Sequence, residues 1–291
     1  MKINAPIIIA GLMVGFMYAL IGVGLVIEYR ASKIVNLAHG AQAMMGAFLF
    51  NQYRGELGRA GAIVLAVTVA AGTGLVLHRL AVDFLRKSSD LNQLIVTLGV
   101  LLSLQGVAEI WLKHAGKQDS SKIVGGHVTV FGVQVGGDQL LVIGVALAVI
   151  GGLTAFFRFT PLGLAMRAAA DRRHVAEYLG INTTAMGRLA WALGSALAGL
   201  AGALLAQSLF LEPIVFTILI IHAYSALLIG RMMSIPLTLV GGVLLGLAQS
   251  IAKFNIESIL GVRELVALVV ALGALMLSAS KLEWSTAEEV A

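Results

Sequence analysis

Cysteine is absent from the 291 residues. That excludes disulfides and thiolate metal sites and leaves the compartment open. Charge is scarce as well: only 12% of the residues are Asp, Glu, Lys or Arg, where a soluble domain carries about 25%. No long polar block remains from which a separate soluble domain could be built, so residues 1–291 read as a single transmembrane domain. Catalytic signatures are missing too. There is no G-x-x-x-x-G-K-[ST] phosphate loop and no H-E-x-x-H, and Gly194-Ser195 lacks the G-x-S-x-G elbow. The chain is therefore expected to hold no nucleotide or metal site of its own and to catalyse no reaction itself.

What fills the chain is apolar: 59% of it is hydrophobic. Apolar stretches fall at about 6–27, 35–53, 60–82, 91–112, 138–157, 187–210, 214–230, 235–252 and 259–280. A helix needs about 20 such residues to cross the hydrocarbon core. The pattern therefore predicts an all-α integral membrane protein with eight to nine transmembrane helices. The second stretch is the shakiest, because Asn36, His39 and Gln42 lie in its first turns. The seventh and eighth are separated by only Arg231 to Ser234 before Pro236, which predicts a tight hairpin. The run Ile7 to Ile27 is too long for a signal core and no small-x-small cleavage site follows it, so it reads as a retained first span.

The net charge of +5 and pI near 9.6 come from Lys and Arg in the short connections. These report orientation rather than nucleic-acid binding. Arg30, Lys33, Arg79, Arg86, Lys87, Arg158, Arg167, Arg172, Arg173, Arg188, Arg231 and Lys281 fall on one side; the remaining eight of the 20 fall on the other. The richer side is expected in the cytosol. That puts the N-terminus outside, the C-terminus inside, and residues 160–188 in the cytosol. The segment from Lys113 to Asp138 is then external. Its alternating Val128, Val130, Val133 and Val135 around Gly132 fit a small hairpin or an ordinary loop.

Small residues recur at four-residue spacing in Gly11/Gly15, Gly194/Ala198, Ala198/Gly202 and Gly242/Gly246. In lipid, close backbone approach at such positions drives helix packing, within the chain or against a partner. Polar groups at membrane depth are costly and mark pathways or interhelical bonds. Here they are Asn36, His39, Gln42, Thr97, Gln105, Glu109, Gln207, His222, Tyr224 and Gln249. The cluster Asn36 to Gln42 either lines a substrate path, with Thr97 and Gln105, or caps a helix end. Glu109 is spaced to pair with Lys113.

Thr160 to Gln207 is the most distinctive stretch. Pro161 opens a helix-competent run bracketed by Gly163 and Gly180, and Gly180 is suited to end a helix. Asp171, Arg172, Arg173 and Glu177 form a mixed-charge face that serves a soluble partner or is simply solvated.

Four collinear blocks carry a family resemblance. They are GFMYALIGVGLVIEYRASKIVNLAHGAQAMMGAF, LIVTLGVLLSLQG, PLGLAMRAAADRRHVAEYLGINTTAMGRLAWALGSALAGLAGALLA and ALLIGRMMSIPLTLVGGVLLGLAQS. Across nearly its whole length the chain resembles permease subunits of ABC importers of the branched-chain amino acid type. The first block carries the family's Asn-x-Ala-His-Gly turn as Asn36 to Gly40. The chain departs from the family pattern at Ala41-Gln42, where an acidic residue is common, and at Leu237, where Gly often follows the proline.

The resemblance implies pairing with a second, homologous permease subunit and with two cytosolic ATPase subunits that bind ATP and Mg. It also implies an extracytoplasmic solute-binding protein and a bacterial inner-membrane location. Arg167, Asp171, Arg172, Arg173, Glu177 and Gly180 would form the ATPase-coupling helix. The substrate would be a branched-chain amino acid or a related amide, urea or aromatic acid. The alternative, an ion-coupled secondary transporter, needs ionisable groups deep in the spans, and beyond Glu109 and His222 the sequence offers few.

Overall fold

The computed structural model describes residues 4–85, 88–115, 126–130, 133–206, 213–256 and 261–288. It is helical throughout apart from one two-stranded ribbon. All nine apolar stretches contain a helix: α1 Ala5–Ser32, α2 His39–Tyr53, α3 Gly58–Leu77, α4 Asp90–Ala115, α5 Gly137–Phe159, α8 Thr183–Leu205, α9 Pro213–Ile229, α10 Ile235–Asn255 and α11 Val262–Glu288. Between α5 and α8 lie two short helices, α6 Pro161–Asp171 and α7 Arg173–Tyr178. The ribbon pairs β1 His127–Val130 antiparallel to β2 Val133–Gly136, with Val128 opposite Val135 and Val130 opposite Val133. The valine alternation therefore specifies a hairpin.

Among the described residues, six helices are long and apolar enough to cross a membrane, and Ile218–Ile229 adds a shorter apolar helix. The second stretch falls short of the expectation for a spanning segment. Residues 35–38 form a non-helical turn, so α2 has 15 residues, or about 22 Å at 1.5 Å per residue. That is less than the ~30 Å of the hydrocarbon core. Instead α2 packs among α8, α3, α9 and α4.

Two helices form the centre. In α1 and α8, 67% of the best apolar window is buried, against 17% in α4 and α5. The inner pair must therefore satisfy neighbours on every side, while the outer helices turn apolar side chains such as Leu98, Leu102 and Leu147 outward. Small residues make the close approaches. A Cβ on Gly24 would lie 2.7 Å from the Gly194 carbonyl oxygen, and one on Gly242 would lie 2.6 Å from the Ala19 nitrogen. Gly46 meets the Gly199 backbone, Gly202 meets the Ala43 carbonyl, and Gly246 meets Gly15. The Gly-x-x-x-small pairs read from the sequence thus join α1 to α10 and α8 to α1 and α2 within this chain, while Gly199 and Gly74 join α8 to α3.

Connections obey local chemistry. The α9–α10 hairpin turns through Arg231 and Met232, both at positive φ, and Ser234 caps α10 by accepting from the Leu237 amide at 3.3 Å. Thr160 caps α6 and Asn182 caps α8 in the same way. The end of α3 runs on as a π-helical segment, His78–Phe84. It brings Asp83 to Arg188 at 2.7 Å, with His78 3.6 Å from the same carboxylate.

The packing yields a paired test. Gly46→Ala adds a methyl against the Gly199 backbone and should cost about 1–3 kcal/mol, the range for overpacking. Gly72→Ala meets nothing within 4 Å, and in a helix interior it should stabilise by about 0.5–1 kcal/mol. Thermal unfolding in detergent reads both. Equal effects would refute the close-packing assignment.

Candidate functional site

The turn between α1 and α2 carries the predicted polar cluster, and an unpredicted residue holds it. α1 ends where Lys33 takes a left-handed conformation and its amide donates to the Tyr29 carbonyl. One turn earlier, Glu28 points into the bundle with no exposed surface. Asn36 Nδ2 donates to Glu28 Oε2 at 2.8 Å, and Ser195 Oγ of α8 donates to Oε1 at 3.0 Å. His39 Nδ1 stands 3.3 Å from Oε2, while its Nε2 lies 3.2 Å from the Ile21 carbonyl oxygen. A buried carboxylate needs this much pairing, because desolvation otherwise outweighs its attractions.

The rest of the turn is knitted in the same way. Asn36 Oδ1 accepts from the Ala38 amide at 3.0 Å, and the Asn36 carbonyl accepts from Tyr224 Oη at 2.8 Å. Gln42 Nε2 donates to Thr73 Oγ1 at 3.3 Å. Thr97 on α4 accepts from the Leu37 amide at 3.3 Å. Trp191 Nε1 donates to Ser32 Oγ, which in turn donates to the Glu28 carbonyl.

The structure thus brings Asn36, His39, Gln42, Thr97 and Tyr224 together, with the first four 0–1% exposed. These side chains face one another and Glu28, and two cavities elsewhere in the bundle are lined by other residues. Gln105 lies two turns beyond Thr97 on the same face of α4 and is half-buried. His222 belongs elsewhere: it stacks on Tyr18 at 4.8 Å, and Tyr18 Oη donates to Gln249 Oε1 at 2.9 Å. Glu109 is exposed, but the side chain of Lys113 lies outside the described residues, as does Gln207.

Glu28 corrects the picture of spans nearly free of ionisable groups. Ending the first apolar stretch at Ile27 left Glu28 as a flank, whereas α1 continues for five more residues past Ile27. The signal was a lone carboxylate at helical register with Gly24, ahead of a histidine turn.

The second region is the α6–α7 segment. A single helix from Arg167 to Gly180 is not what forms. Arg172, at φ −141° and ψ 83°, ends α6 and starts α7. α6 is held by buried Gly163 and Met166, whereas α7 must bury Ala176 and bring Glu177 to Thr183. One straight helix cannot do both. Gly180, at φ +81°, closes α7: its amide donates to the Glu177 carbonyl and that of Ile181 to Ala176, a Schellman pairing. Arg30 pairs with Asp171 and Arg173 with Glu177, both at 3.2 Å. Arg167 and Arg173 line a cavity beneath α6. Outward stand Leu164 at 58%, Val175 at 48%, Leu179 at 74% and Tyr178 at 91% exposure.

Residues 7–279 match the family described as branched-chain amino acid transport system / permease component. The chain belongs to that family. It is 30% identical over 260 residues to the high-affinity branched-chain amino acid transport system permease protein BraD of Pseudomonas aeruginosa, covering 84% of each chain. It is 29% identical over 261 residues to the LivH protein of the same description from Escherichia coli K12, again covering 84% of each. The solved structure of PsaBC from Streptococcus pneumoniae in complex with Fab covers 94% of this chain and 89% of its own, at 17% identity and a TM-score of 0.47. This family member is accordingly a multi-pass inner-membrane permease component of an ABC transport system and not an enzyme.

Two outcomes follow for this permease. Glu28→Leu strands the donors of Asn36 and Ser195 and should destabilise the chain by about 3–5 kcal/mol. Glu28→Gln keeps an acceptor and should lose distinctly less. Thermal unfolding of both checks the ranking, which reverses if the site is merely apolar. The Thr183 hydroxyl on Glu177, with Arg173 beside it, holds the Glu177 carboxyl below the usual range. Its folded-state value is depressed, so its contribution is present above the ordinary Glu pKa and is lost as pH falls through the folded-state value. Thr183→Val should move the Glu177 carboxyl resonance titration upward in NMR. An unchanged midpoint would remove Thr183 as the cause.

Proposed function

We propose that this chain is one of two permease subunits in an ATP-driven importer of branched-chain amino acids. The observation that carries this reading is the family match over residues 7–279 joined to an α6–α7 segment whose apolar side chains face outward. The relatives' names supply the substrate class, and related amides, urea or aromatic acids are the nearest competitors. The partners are a second homologous permease, two cytosolic ATPase subunits that bind ATP and Mg, and an extracytoplasmic solute-binding protein.

In this reading the nine apolar helices make up the membrane domain, α2 and α9 as short members. The N-terminus is outside and the C-terminus in the cytosol, as the Lys and Arg distribution favours. Residues 160–188 face the cytosol and receive an ATPase subunit. The contact is made by Leu164, Val175, Tyr178 and Leu179, with Arg172 at the break. Asp171, Arg173, Glu177 and Gly180 shape the segment, and Arg167 lines the cavity between it and the bundle.

The same reading runs the substrate route along the inner face of α4, past Thr97 and Gln105. Asn36, His39 and Gln42 then act as the buried support that fixes the wall of that route. Their burial favours support over direct contact: polar groups with all their bonds made to protein offer little to a passing solute. A mostly apolar wall also suits a substrate with an aliphatic side chain.

The test uses the assembled transporter in liposomes with the solute-binding protein outside and radiolabelled leucine. The double change Tyr178→Asp and Leu179→Asp should reduce ATPase-subunit binding at least about tenfold, since exposed aromatic anchors dominate interfaces. Leucine uptake should fall with it, while the chain's thermal unfolding stays parental. Parental uptake in the double variant would refute the docking role.

A further inference from the structure

A cavity of about 30 Å³ lies beneath α6, between that helix, the C-terminal end of α1 and the start of α8. Most of its wall is apolar, including Phe157, Ala170 and Met186, yet Arg30, Arg167 and Arg173 line it together. Two carboxylates answer these three guanidiniums, and both sit at the rim. Asp171 meets Arg30 with its side chain 60% exposed, and Glu177 meets Arg173 at 40% exposure while also accepting from Thr183. Arg167 has no acidic partner among the described residues. The Nε atoms of Arg30 and Arg167 are buried with no hydrogen-bond partner there.

Buried donors without acceptors are rare, because each forfeits the bonds it made to water. Three guanidinium groups around one small space answer that deficit if an acceptor with several oxygens occupies it. The planar fork of Arg matches phosphate and carboxylate oxygens two at a time. The volume is that of about two waters, room for two oxygens of an oxyanion whose remainder stands outside, since the side chains of Arg30 and Arg173 are 23% and 34% exposed. We propose that this cavity is a phosphate-group binding site, with Arg167 as its central ligand and Arg30 and Arg173 at its sides. The phosphate comes either from the headgroup of an anionic phospholipid or from the free ion. The site stands whether or not α6 and α7 receive an ATPase subunit, since all of its ligands lie in this chain.

The test uses the full chain with the subunits that copurify, delipidated in a neutral detergent. Thermal unfolding is measured in sodium phosphate and in sodium chloride at matched ionic strength. In parallel, native mass spectrometry follows lipids retained from nanodiscs of phosphatidylglycerol or of phosphatidylcholine. A higher midpoint in phosphate identifies the free ion as ligand; selective retention of phosphatidylglycerol without a phosphate effect identifies the headgroup. Arg167→Gln should weaken whichever binding is seen by about tenfold or more, the loss of a charge-assisted bidentate contact. Ala170→Leu fills the space while keeping all three arginines, so it tests the cavity even if Arg167→Gln folds poorly. Binding of neither probe to the parental chain overturns the proposal. So does binding that survives both variants, since it then belongs to another surface.

Discussion

A carboxylate inside a helical membrane bundle survives only where donors are already aimed at it. In this permease Glu28 is that carboxylate, and its donors come from two distant places in the chain, the α1–α2 turn and α8. Asn36 and Ser195 supply hydrogen bonds and His39 stands within ion-pair distance. For these groups to meet, α1 and α8 must approach at Gly24 and Gly194, where a side chain on either would strike the other helix or the Glu28 and His39 side chains. Close packing and polar pairing therefore depend on each other. The rest of the bundle is arranged around that contact, with α10 on one side of α1 and α2 and α3 against α8.

In that arrangement the polar turn lies buried within the bundle. Its side chains spend their bonding capacity within the chain, holding residues 34–38 in a non-helical path that lipid could not tolerate if it were exposed. The neighbouring α4 is pinned to the turn through Thr97, which accepts from the Leu37 amide. On the α6–α7 side the logic is inverted. Several polar groups there are paired locally or line the cavity, and Leu164, Val175, Tyr178 and Leu179 share the outward surface with Arg172 and His174. Exposed apolar side chains on a segment outside the spans fit a protein contact better than solvent.

Much of this was legible beforehand. Apolar runs located all six helices that are long and apolar enough to span among the described residues, because in lipid a backbone must bond to itself and length then defines the element. The Ser234-Ile235-Pro236 sequence marked the α9–α10 hairpin, and the alternating valines marked the ribbon. Gly180 was readable as a helix stop because the positive φ there is costly for other residues. The cluster Asn36 to Gln42 stood out because polar residues are rare at that depth. Glu28 was passed over for the opposite reason: at the edge of an apolar run a carboxylate looks like a boundary, and nothing in its neighbours along the chain says that Ser195 will sit against it.

By itself, then, the sequence determined the class of the protein, the positions of its helices, its small-residue contact points and its family. Those properties depend on residue type and on spacing within one element, which the chain displays directly. Only the tertiary structure decided how α2 shortens into the bundle, where α6 breaks from α7, which arginines turn inward, and that Glu28 lies at the centre. Most of these depend on groups more than a hundred residues apart, such as Glu28 and Ser195 or Arg30 and Asp171. A linear pattern carries no record of which distant group will be near enough to accept a hydrogen bond.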